Sequence, residues 1–280
     1  MRGGVGLGGA FRMPFTFTMK SVLDFKARKG KAPISMSTAY THWEARFLAD
    51  SPVDCVLVGD SVATVLDGEG TTFAATPEIM ARHTAAVARG LGGAKFLIAD
   101  FPFLAARKGV VAAVECAALL LRAGAQAVKI EGVDGHEDVV RHLVQSGVPV
   151  IGHLGLTPQS VQALGGYKVQ GRGEEAAADL LRQARALEAA GVSGLVIECV
   201  PAALGKAVTA AVSVPVIGIG AGPHTDGQVL VFHDMLGLTP GFGAKFVRQF
   251  ADGNKCVAEG LAAYARAVSE GSFPNNNESY

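Results

Sequence analysis

GAQAVKIEG at residues 124–132 and VPVIGHLG at residues 148–155 are the two stretches that decide the fold. In each, a turn signal leads into a short apolar run rich in β-branched residues, which ends beside an ionisable residue and a glycine. That pattern is typical of a buried parallel strand whose carboxyl end reaches a functional face. Because side chains alternate along a strand, Lys129 and Glu131 are predicted to share one face and to be neighbours in space.

This lysine and this carboxylate admit two interpretations. A lone buried charge is costly, so the two must pair with each other or bind something charged. A structural ion pair that closes one end of a barrel explains them as well as a functional site does. The same pattern recurs along the chain, and its recurrence favours the functional interpretation.

Seven such segments recur with the spacing of strands that alternate with helices. Ala- and Leu-rich segments with helical periodicity lie between most of them, at 110–122, 136–146, 174–190 and 202–211. An open doubly wound sheet would need a glycine-rich dinucleotide loop after its first strand, but Thr38-Ala39-Tyr40-Thr41 stands there. The alternation predicts one closed (β/α)8 TIM barrel, with strands at 33–39, 55–59, 95–99, 127–131, 149–153, 194–199 and 214–220, and a weak eighth strand at 230–234.

Glycines and one proline mark the expected helix ends. Gly90, Gly124, Gly147 and Gly191 fit helix C-cap positions. Thr157-Pro158 has the residue types of a helix start, and the last helix is predicted at 253–267.

Length, charge and cysteine content limit the class of protein. The chain has 280 residues, near the ~250 of one α/β barrel, and its 25 basic residues balance 25 acidic ones. We therefore expect no nucleic-acid or membrane partner, and four cysteines without a CxxC pair predict no disulfide framework. With neither a membrane span nor a secretory core, the sequence predicts a cytoplasmic protein: a flexible extension at 1–18, a catalytic barrel at 19–270 and a polar tail at 271–280. The alternative for the extension, which carries Arg2 and Arg12 and no acid, is an organelle-targeting segment.

Polar side chains stand at the carboxyl ends of five neighbouring predicted strands. In this fold the active site lies at that rim, so all of them are expected at one mouth. Any single one has a structural explanation, since an Asp there more often caps a helix or a turn. Five strand ends that deliver such groups together favour a site, built from Asp60, Ser61, Asp100, Lys129, Glu131, His153 and Glu198.

The residue types suggest metal-assisted chemistry. Asp60, Asp100 and Glu131 form an all-oxygen set that suits Mg²⁺; the alternative interpretation is that one or two of them simply pair with Lys129. Lys129 favours an anion such as a substrate carboxylate, and Glu198 is either a general base or part of a salt bridge at the rim. A metal that chelates a 2-oxo acid acidifies the adjacent C–H and stabilises the enolate. These residues therefore predict enolate chemistry on a small keto acid.

Two glycine-rich segments near the predicted rim leave alternatives open. GGYKVQGRG at 165–173 is either a mobile lid over the mouth or a long solvated loop. GIGAG at 218–222 follows strand seven, where barrels often bind phosphate, but it equally fits tight packing.

Several motifs resemble those of the ketopantoate hydroxymethyltransferase family, from about residue 19 to residue 273. The most specific are GHLGLTPQS at 152–160 and GGYKVQGRG. The others are TAY at 38–40, VGDS at 58–61, HTAAVARG at 83–90, ADFPF at 99–103, VKIEG at 128–132, ECVP at 198–201 and PVIGIGAG with TDGQ at 215–228.

The resemblance implies a TIM barrel of the phosphoenolpyruvate/pyruvate superfamily. It implies transfer of a hydroxymethyl group from 5,10-methylenetetrahydrofolate to 3-methyl-2-oxobutanoate, which gives 2-dehydropantoate for pantothenate biosynthesis. Such enzymes form homo-oligomers, commonly decamers. By the same resemblance Asp60 and Asp100 ligate Mg²⁺ with support from Glu131, Glu198 is the base at C3, and the substrate is bound by Asp60, Ser61, Asp100, Lys129 and His153.

Two departures from the family pattern stand out. Thr41 follows TAY where the family usually has an acidic residue, and residues 67–76, DGEGTTFAAT, differ from the sequence that the family usually has there. We expect both near the folate, so they bear on folate affinity more than on keto-acid chemistry.

Two other functions compete with the transferase. One is another 2-oxo-acid C–C or P–C lyase or mutase of the same superfamily, but the KKCGH-type cysteine loop of isocitrate lyase relatives is missing. The other is a catalytically silent barrel that only binds metabolites. A silent barrel would be expected to have lost an acid at Asp60, Asp100 or Glu198, and all three are present.

Overall fold

Eight parallel strands close into a barrel in the computed structural model, which describes residues 19–241 and 243–280. Strand order follows chain order, and β1 pairs with β8 to close the barrel. The predicted (β/α)8 fold is therefore confirmed, whereas the predicted extension at 1–18 lies outside the described residues. The strands are β1 Ile34–Thr38, β2 Cys55–Val58, β3 Phe96–Asp100, β4 Ala127–Glu131, β5 Val150–Gly155, β6 Gly194–Glu198, β7 Val216–Ile219 and β8 Gly227–Leu230.

Helices connect the strands and cover the barrel from outside. On the helix at 110–122, Ala113, Cys116, Ala117 and Leu120 are buried, the spacing of a single apolar face. None of the helices in the described residues is long and apolar enough to span a membrane. The helices are α1 Val22–Lys26, α2 His42–Asp50, α3 Val62–Val65, α4 Pro77–Leu91, α5 Val110–Arg122, α6 Glu137–Gln145, α7 Glu174–Ala189, α8 Ala202–Ala211, α9 Phe232–Met235 and α10 Gly253–Ser269.

The predicted eighth strand at 230–234 is wrong. The strand is Gly227–Leu230, and most of the predicted segment instead forms α9. The apolar run there resembles a strand, but the Phe232 N–H donates to Thr38 Oγ1 and the chain turns into a helix. The predicted strand left out Gly227, because a glycine does not match an apolar strand pattern. Its role is close packing: a Cβ there would lie 2.4 Å from the Ile34 carbonyl oxygen.

Gly90 is also not the helix cap that was predicted. It lies within α4, which ends at Leu91 with Gly92 as its C-cap. A Cβ on Gly90 would lie 2.5 Å from the Ala45 Cβ, so this glycine lets α4 approach α2 closely. Gly90 does have a structural role, but that role is helix packing and not the end of a helix.

The amino end of the barrel is closed by α1 and the residues before it. Met19 and Phe25 are buried in the apolar cluster that fills the barrel interior, and the Phe25 ring packs 5.8 Å from that of Phe96. Along β4 the alternating Val128 and Ile130 belong to the second cluster, between strands and helices. Lys129 therefore faces the barrel interior, and only the carboxyl end remains available for a polar site.

Gly155 ends β5 with a φ of +89°, and a Cβ there would lie 2.2 Å from the Glu198 carbonyl oxygen. Gly147 has nearly the same φ, +87°, but apart from its chain neighbours no atom of the described residues lies within 4 Å of its would-be Cβ. Gly147→Ala should cost about 1–2 kcal/mol of unfolding free energy for the left-handed backbone. Gly155→Ala should cost about 1–3 kcal/mol more, because the methyl group adds a clash.

Chemical denaturation of both variants beside the wild type measures these costs. Equal losses would show that β5 and β6 do not need the close approach at Gly155.

Candidate functional site

The side chains predicted from the strand ends lie together at the carboxyl end of the barrel. Their contacts form one connected chain that runs across the mouth from β2 to β6. Asp60, Asp100, Lys129 and His153 are buried in it, while Ser61 and Glu198 are partly exposed toward the mouth. The structure thus brings the predicted residues into one place, and the role of each stays a prediction.

Lys129 lies between neighbouring carboxylates. Its Nζ is 3.1 Å from Asp100 Oδ1, while Asp100 Oδ2 accepts the Asp60 N–H at 3.0 Å. Strand register explains the first contact, because Asp100 and Lys129 are partners in the β3–β4 pairing. Burial opposes the charge of Lys129, but Asp100, Glu131 and Asp60 outweigh it and raise the pKa of the lysine.

His153 connects Lys129 to Glu198. Lys129 Nζ lies 3.1 Å from His153 Nδ1, and His153 Nε2 lies 3.3 Å from Glu198 Oε2. Burial, reinforced by Lys129, lowers the pKa of His153, so the imidazole is neutral at neutral pH. A charged lysine can only donate, so Nδ1 accepts and the single ring proton sits on Nε2, on the side of Glu198, where it forms no aligned hydrogen bond with any of the described residues.

One carboxylate oxygen of Glu131 has no donor among the residues that the structure describes. This Oε1 is 3.3 Å from His153 Nδ1, but that nitrogen accepts from Lys129 and cannot donate to it. Burial and the neighbouring acids raise the pKa of Asp60 to about 6, of Asp100 to about 6 and of Glu131 to about 7. With all three ionised, one lysine leaves two negative charges uncompensated.

Two excess buried charges fit a divalent cation with oxygen ligands. As they stand, however, no three His, Cys, Asp or Glu side chains among the described residues converge closely enough to hold an ion. The donor set therefore suits Mg²⁺ by charge and chemistry, and a bound ion would require these side chains to draw together.

Gln159 is a site residue that the sequence reasoning missed. Its Nε2 donates to Asp60 Oδ2 at 2.8 Å and to the Phe101 carbonyl at 2.7 Å. Its backbone N–H donates to Glu131 Oε2 at 3.0 Å. The expected helix start at Thr157-Pro158 is only a 3-10 turn, Pro158–Ser160, which Thr157 does not cap. That turn holds Gln159, and the GHLGLTPQS motif was the available signal for it.

The backbone next to Glu198 is tightly constrained. The Glu198 carbonyl accepts the Leu156 N–H at 2.8 Å, a contact that the glycine at 155 makes possible. Cys199 has a φ of +46°, a strained value for a residue with a side chain, of the kind often found at functional sites. The Cys199 carbonyl accepts the Gln170 N–H at 2.8 Å, so the loop at 165–173 is tied to the end of β6.

The two glycine-rich segments take different positions. In the loop at 165–173, Tyr167 is largely exposed, and its pKa is raised by partial burial and then by Asp60, Glu198 and Glu131. In GIGAG, a Cβ on Gly222 would lie 2.4 Å from the Ala202 Cβ, which supports the tight-packing alternative. A role in binding phosphate stays a prediction.

Comparison with known families agrees with the motifs. A model of the family described as ketopantoate hydroxymethyltransferase matches residues 18–276. A 3-methyl-2-oxobutanoate hydroxymethyltransferase from Bdellovibrio bacteriovorus is 52% identical over 263 residues, which cover 94% of this chain and 100% of that protein. The enzyme of the same name from Legionella pneumophila is 52% identical over 259 residues, covering 92% of this chain and 98% of that protein.

Solved structures share the fold at low sequence identity. A 2,3-dimethylmalate lyase, described as a member of the PEP mutase/isocitrate lyase superfamily, has a TM-score of 0.59 at 15% identity and covers 94% of this chain and 93% of its own. Phosphoenolpyruvate phosphomutase from Streptomyces platensis subsp. rosaceus has a TM-score of 0.61 at 12% identity, covering 90% and 88%. These likenesses confirm the predicted barrel type and carry no functional detail.

Proposed function

The chain belongs to the ketopantoate hydroxymethyltransferase family, and we propose that its barrel mouth transfers a hydroxymethyl group from 5,10-methylenetetrahydrofolate to 3-methyl-2-oxobutanoate. The product would be 2-dehydropantoate, for pantothenate biosynthesis. The observation that carries this proposal is the connected cluster of Asp100, Lys129, His153 and Glu198 at one rim. Relatives at 52% identity share the transferase name, whereas the likeness to a lyase and a mutase is one of fold alone.

Mg²⁺ would be held by Asp60 and Asp100, with Glu131 in support. The uncompensated negative charge and the unpartnered Glu131 Oε1 support this assignment. A bound Mg²⁺ supplies Lewis-acid stabilisation for negative charge that develops on a keto oxygen. Gln159 would keep Asp60 and Glu131 oriented, as residues behind metal ligands commonly do.

The carboxylate of the keto acid would be bound by Lys129 and Ser61. Lys129 keeps its proton because the surrounding acids raise its pKa, so it offers a permanent positive charge. Ser61 is adjacent to Asp60 in sequence and is partly exposed at the mouth. Together they would fix the substrate with its C3 atom toward the β6 side of the rim.

Glu198 would remove the C3 proton. His153 Nε2 lies 3.3 Å from Glu198 Oε2 without an aligned hydrogen bond between them, so His153 does not tie up the carboxylate. Since His153 is neutral, it lies beside the base without pairing with it as a cation. The carbon nucleophile formed at C3 would then bond to the methylene carbon of the folate, whose bonds to the folate nitrogens break, with water supplying the hydroxyl group and tetrahydrofolate leaving.

The folate would approach from the open side of the mouth, where the loop at 165–173 is tied to β6 through Gln170. Tyr167 on this loop is exposed and offers an aromatic surface to a ring. Thr41 and residues 67–76, where the chain departs from the family pattern, remain the segments we expect to affect folate affinity. The balanced charge of the chain further supports a cytoplasmic enzyme without nucleic-acid or membrane partners.

A homo-oligomer, commonly a decamer in this family, is supported by two exposed apolar faces. No residue of α10 is buried within the described chain, although Val257, Leu261, Tyr264 and Val268 form one apolar face on it. Trp43 and Phe47 form a second exposed pair on α2. Apolar surface of this kind usually marks a protein interface.

Glu198→Gln should fold and still bind 3-methyl-2-oxobutanoate, because the amide keeps the shape of the side chain. Exchange of the C3 proton for deuterium, followed by NMR without folate, should slow by about 100-fold or more because the base is lost. Glu175→Gln, at an exposed position of α7, is the control and should exchange normally. Exchange at the wild-type rate in the first variant would remove Glu198 as the base.

Gln159→Leu should weaken Mg²⁺ binding about tenfold, since the donor that orients Asp60 is lost. Isothermal titration with MgCl₂ in the presence of keto acid measures this change. Gln162→Leu makes the same substitution three residues along, at an exposed side chain, and should bind Mg²⁺ as the wild type does. Equal affinities in all three proteins would argue against an orienting role for Gln159.

Leu261→Asp should dissociate the assembly, because it introduces a charge into the apolar face of α10. Ala263→Asp adds the same charge on the other side of the helix and should leave the mass unchanged. Light scattering coupled to size-exclusion chromatography reports both masses. If Leu261→Asp keeps the wild-type mass, this face does not form the interface.

A further inference from the structure

The TAY segment at 38–40 has no role in the site as described above, yet the Tyr40 phenol lies beside Ser61. We propose that Tyr40 is a positioning residue: it donates its phenol proton to Ser61 and so commits the Ser61 hydroxyl to donate to the carboxylate of the keto acid. This inference rests on the proposed function, in which Ser61 binds that carboxylate.

The contact itself is short and enclosed. Tyr40 is completely buried, and its phenol oxygen is 2.8 Å from Ser61 Oγ. The Thr38 side chain lies nearby: its Cγ2 and the Tyr40 Cε1 are each 3.7 Å from where a Cβ on Gly59 would be. Burial raises the pKa of Tyr40, so the phenol keeps its proton. Tyr40 therefore lies between a buried threonine and a serine at the mouth.

A backbone group supports one direction for these hydrogen bonds. The Phe232 N–H donates to Thr38 Oγ1 at 3.0 Å, and a backbone N–H can only donate. Thr38 then has its own proton to give to the Tyr40 oxygen, and Tyr40 directs its proton to Ser61 Oγ. Ser61 is left with a proton for which the described residues offer no acceptor, so it donates into the mouth.

Tyr40 is held so firmly that it can impose this order. Its backbone N–H donates to Glu44 Oε2 at 2.6 Å, and His83 Nδ1 lies 2.7 Å from its carbonyl oxygen. Its ring stacks on that of His233, with 5.8 Å between centroids. The phenol has no freedom to turn away from Ser61.

The position of Ser61 is equally restricted. A Cβ on Gly59 would lie 2.7 Å from Ser61 Oγ, so the serine hydroxyl occupies space that only a glycine leaves open. The hydroxyl is thus fixed from two sides before any substrate arrives. A donor whose direction is set in advance binds an anion without an ordering cost at the moment of binding.

The test is Tyr40→Phe, which removes one oxygen and keeps the ring that packs on His233. The variant should raise both the Kd and the KM for 3-methyl-2-oxobutanoate about tenfold, the loss of about 1.4 kcal/mol expected for one hydrogen bond to a charged group. The thermal midpoint should stay near that of the wild type. Tyr280→Phe, at the exposed end of the chain, is the matched control.

Three further measurements separate this role from a merely structural one. Binding of the uncharged 3-methyl-2-oxobutanamide should be nearly the same in Tyr40→Phe and in the wild type, because the lost donor serves a carboxylate. Ser61→Ala should show the same tenfold rise, and the double variant should add little to it. Thr38→Val, which removes the donor to Tyr40, should also weaken keto-acid binding. Thr38→Ser keeps the hydroxyl group and should bind the keto acid as the wild type does.

Wild-type or tighter keto-acid binding by Tyr40→Phe would overturn the proposal, because the hydrogen bond would then run from Ser61 to Tyr40. If Tyr40→Phe does not fold, wild-type binding by Thr38→Val would overturn it as well. The proposed function fails separately, in measurements on the unsubstituted protein. A wild-type protein that neither binds the keto acid nor exchanges its C3 proton would overturn that function.

Discussion

The excess of carboxylates over cations around Lys129 is the constraint on which the whole mouth depends. Asp100 contacts the lysine directly, and Asp60 and Glu131 add to the field that keeps it charged. A buried charge without a partner would cost several kcal/mol, about 3–5 when one member of a pair is removed. The acids therefore stabilise the charged lysine. One lysine does not neutralise all of the carboxylates, so the cluster can bind a cation at the acids and an anion at the lysine.

The same lysine also decides the state of the base. By donating to His153 Nδ1 it leaves the ring proton on Nε2, which lies 3.3 Å from Glu198 Oε2. If His153 instead protonated fully, it would pair with both glutamates and weaken Glu198 as a base. The anion-binding group and the proton-accepting group of the proposed reaction are thus coupled through one neutral imidazole.

The sequence predicted the barrel and the ionisable residues at its rim because both follow from a repeated local pattern. Asp60, Asp100, Lys129 and His153 each lie at or near the carboxyl end of a strand, and parallel strands of a barrel must present those ends together. Residues such as Gln159 and Tyr40 follow no such pattern, because a single turn or a buried phenol acquires its role only from neighbours distant in sequence. The predictions for Gly90 and β8 were wrong for a related reason. Both places contain a glycine that allows backbones to pack closely, and in the sequence such a glycine resembles a helix end or weakens the strand pattern.

The departure from the family pattern at Thr41 is conservative when its local role is considered. Thr41 is the N-cap of α2: its side chain accepts the Glu44 N–H at 3.2 Å. Acidic residues and threonine are both good N-caps, so either can begin this helix. The Glu44 carboxylate in turn accepts hydrogen bonds from the N–H groups of Thr41 and Tyr40, and the hydrogen bond from Tyr40 holds that residue beside Ser61. Helix capping at this position is therefore part of the support for the anion-binding serine, and the change to threonine preserves it.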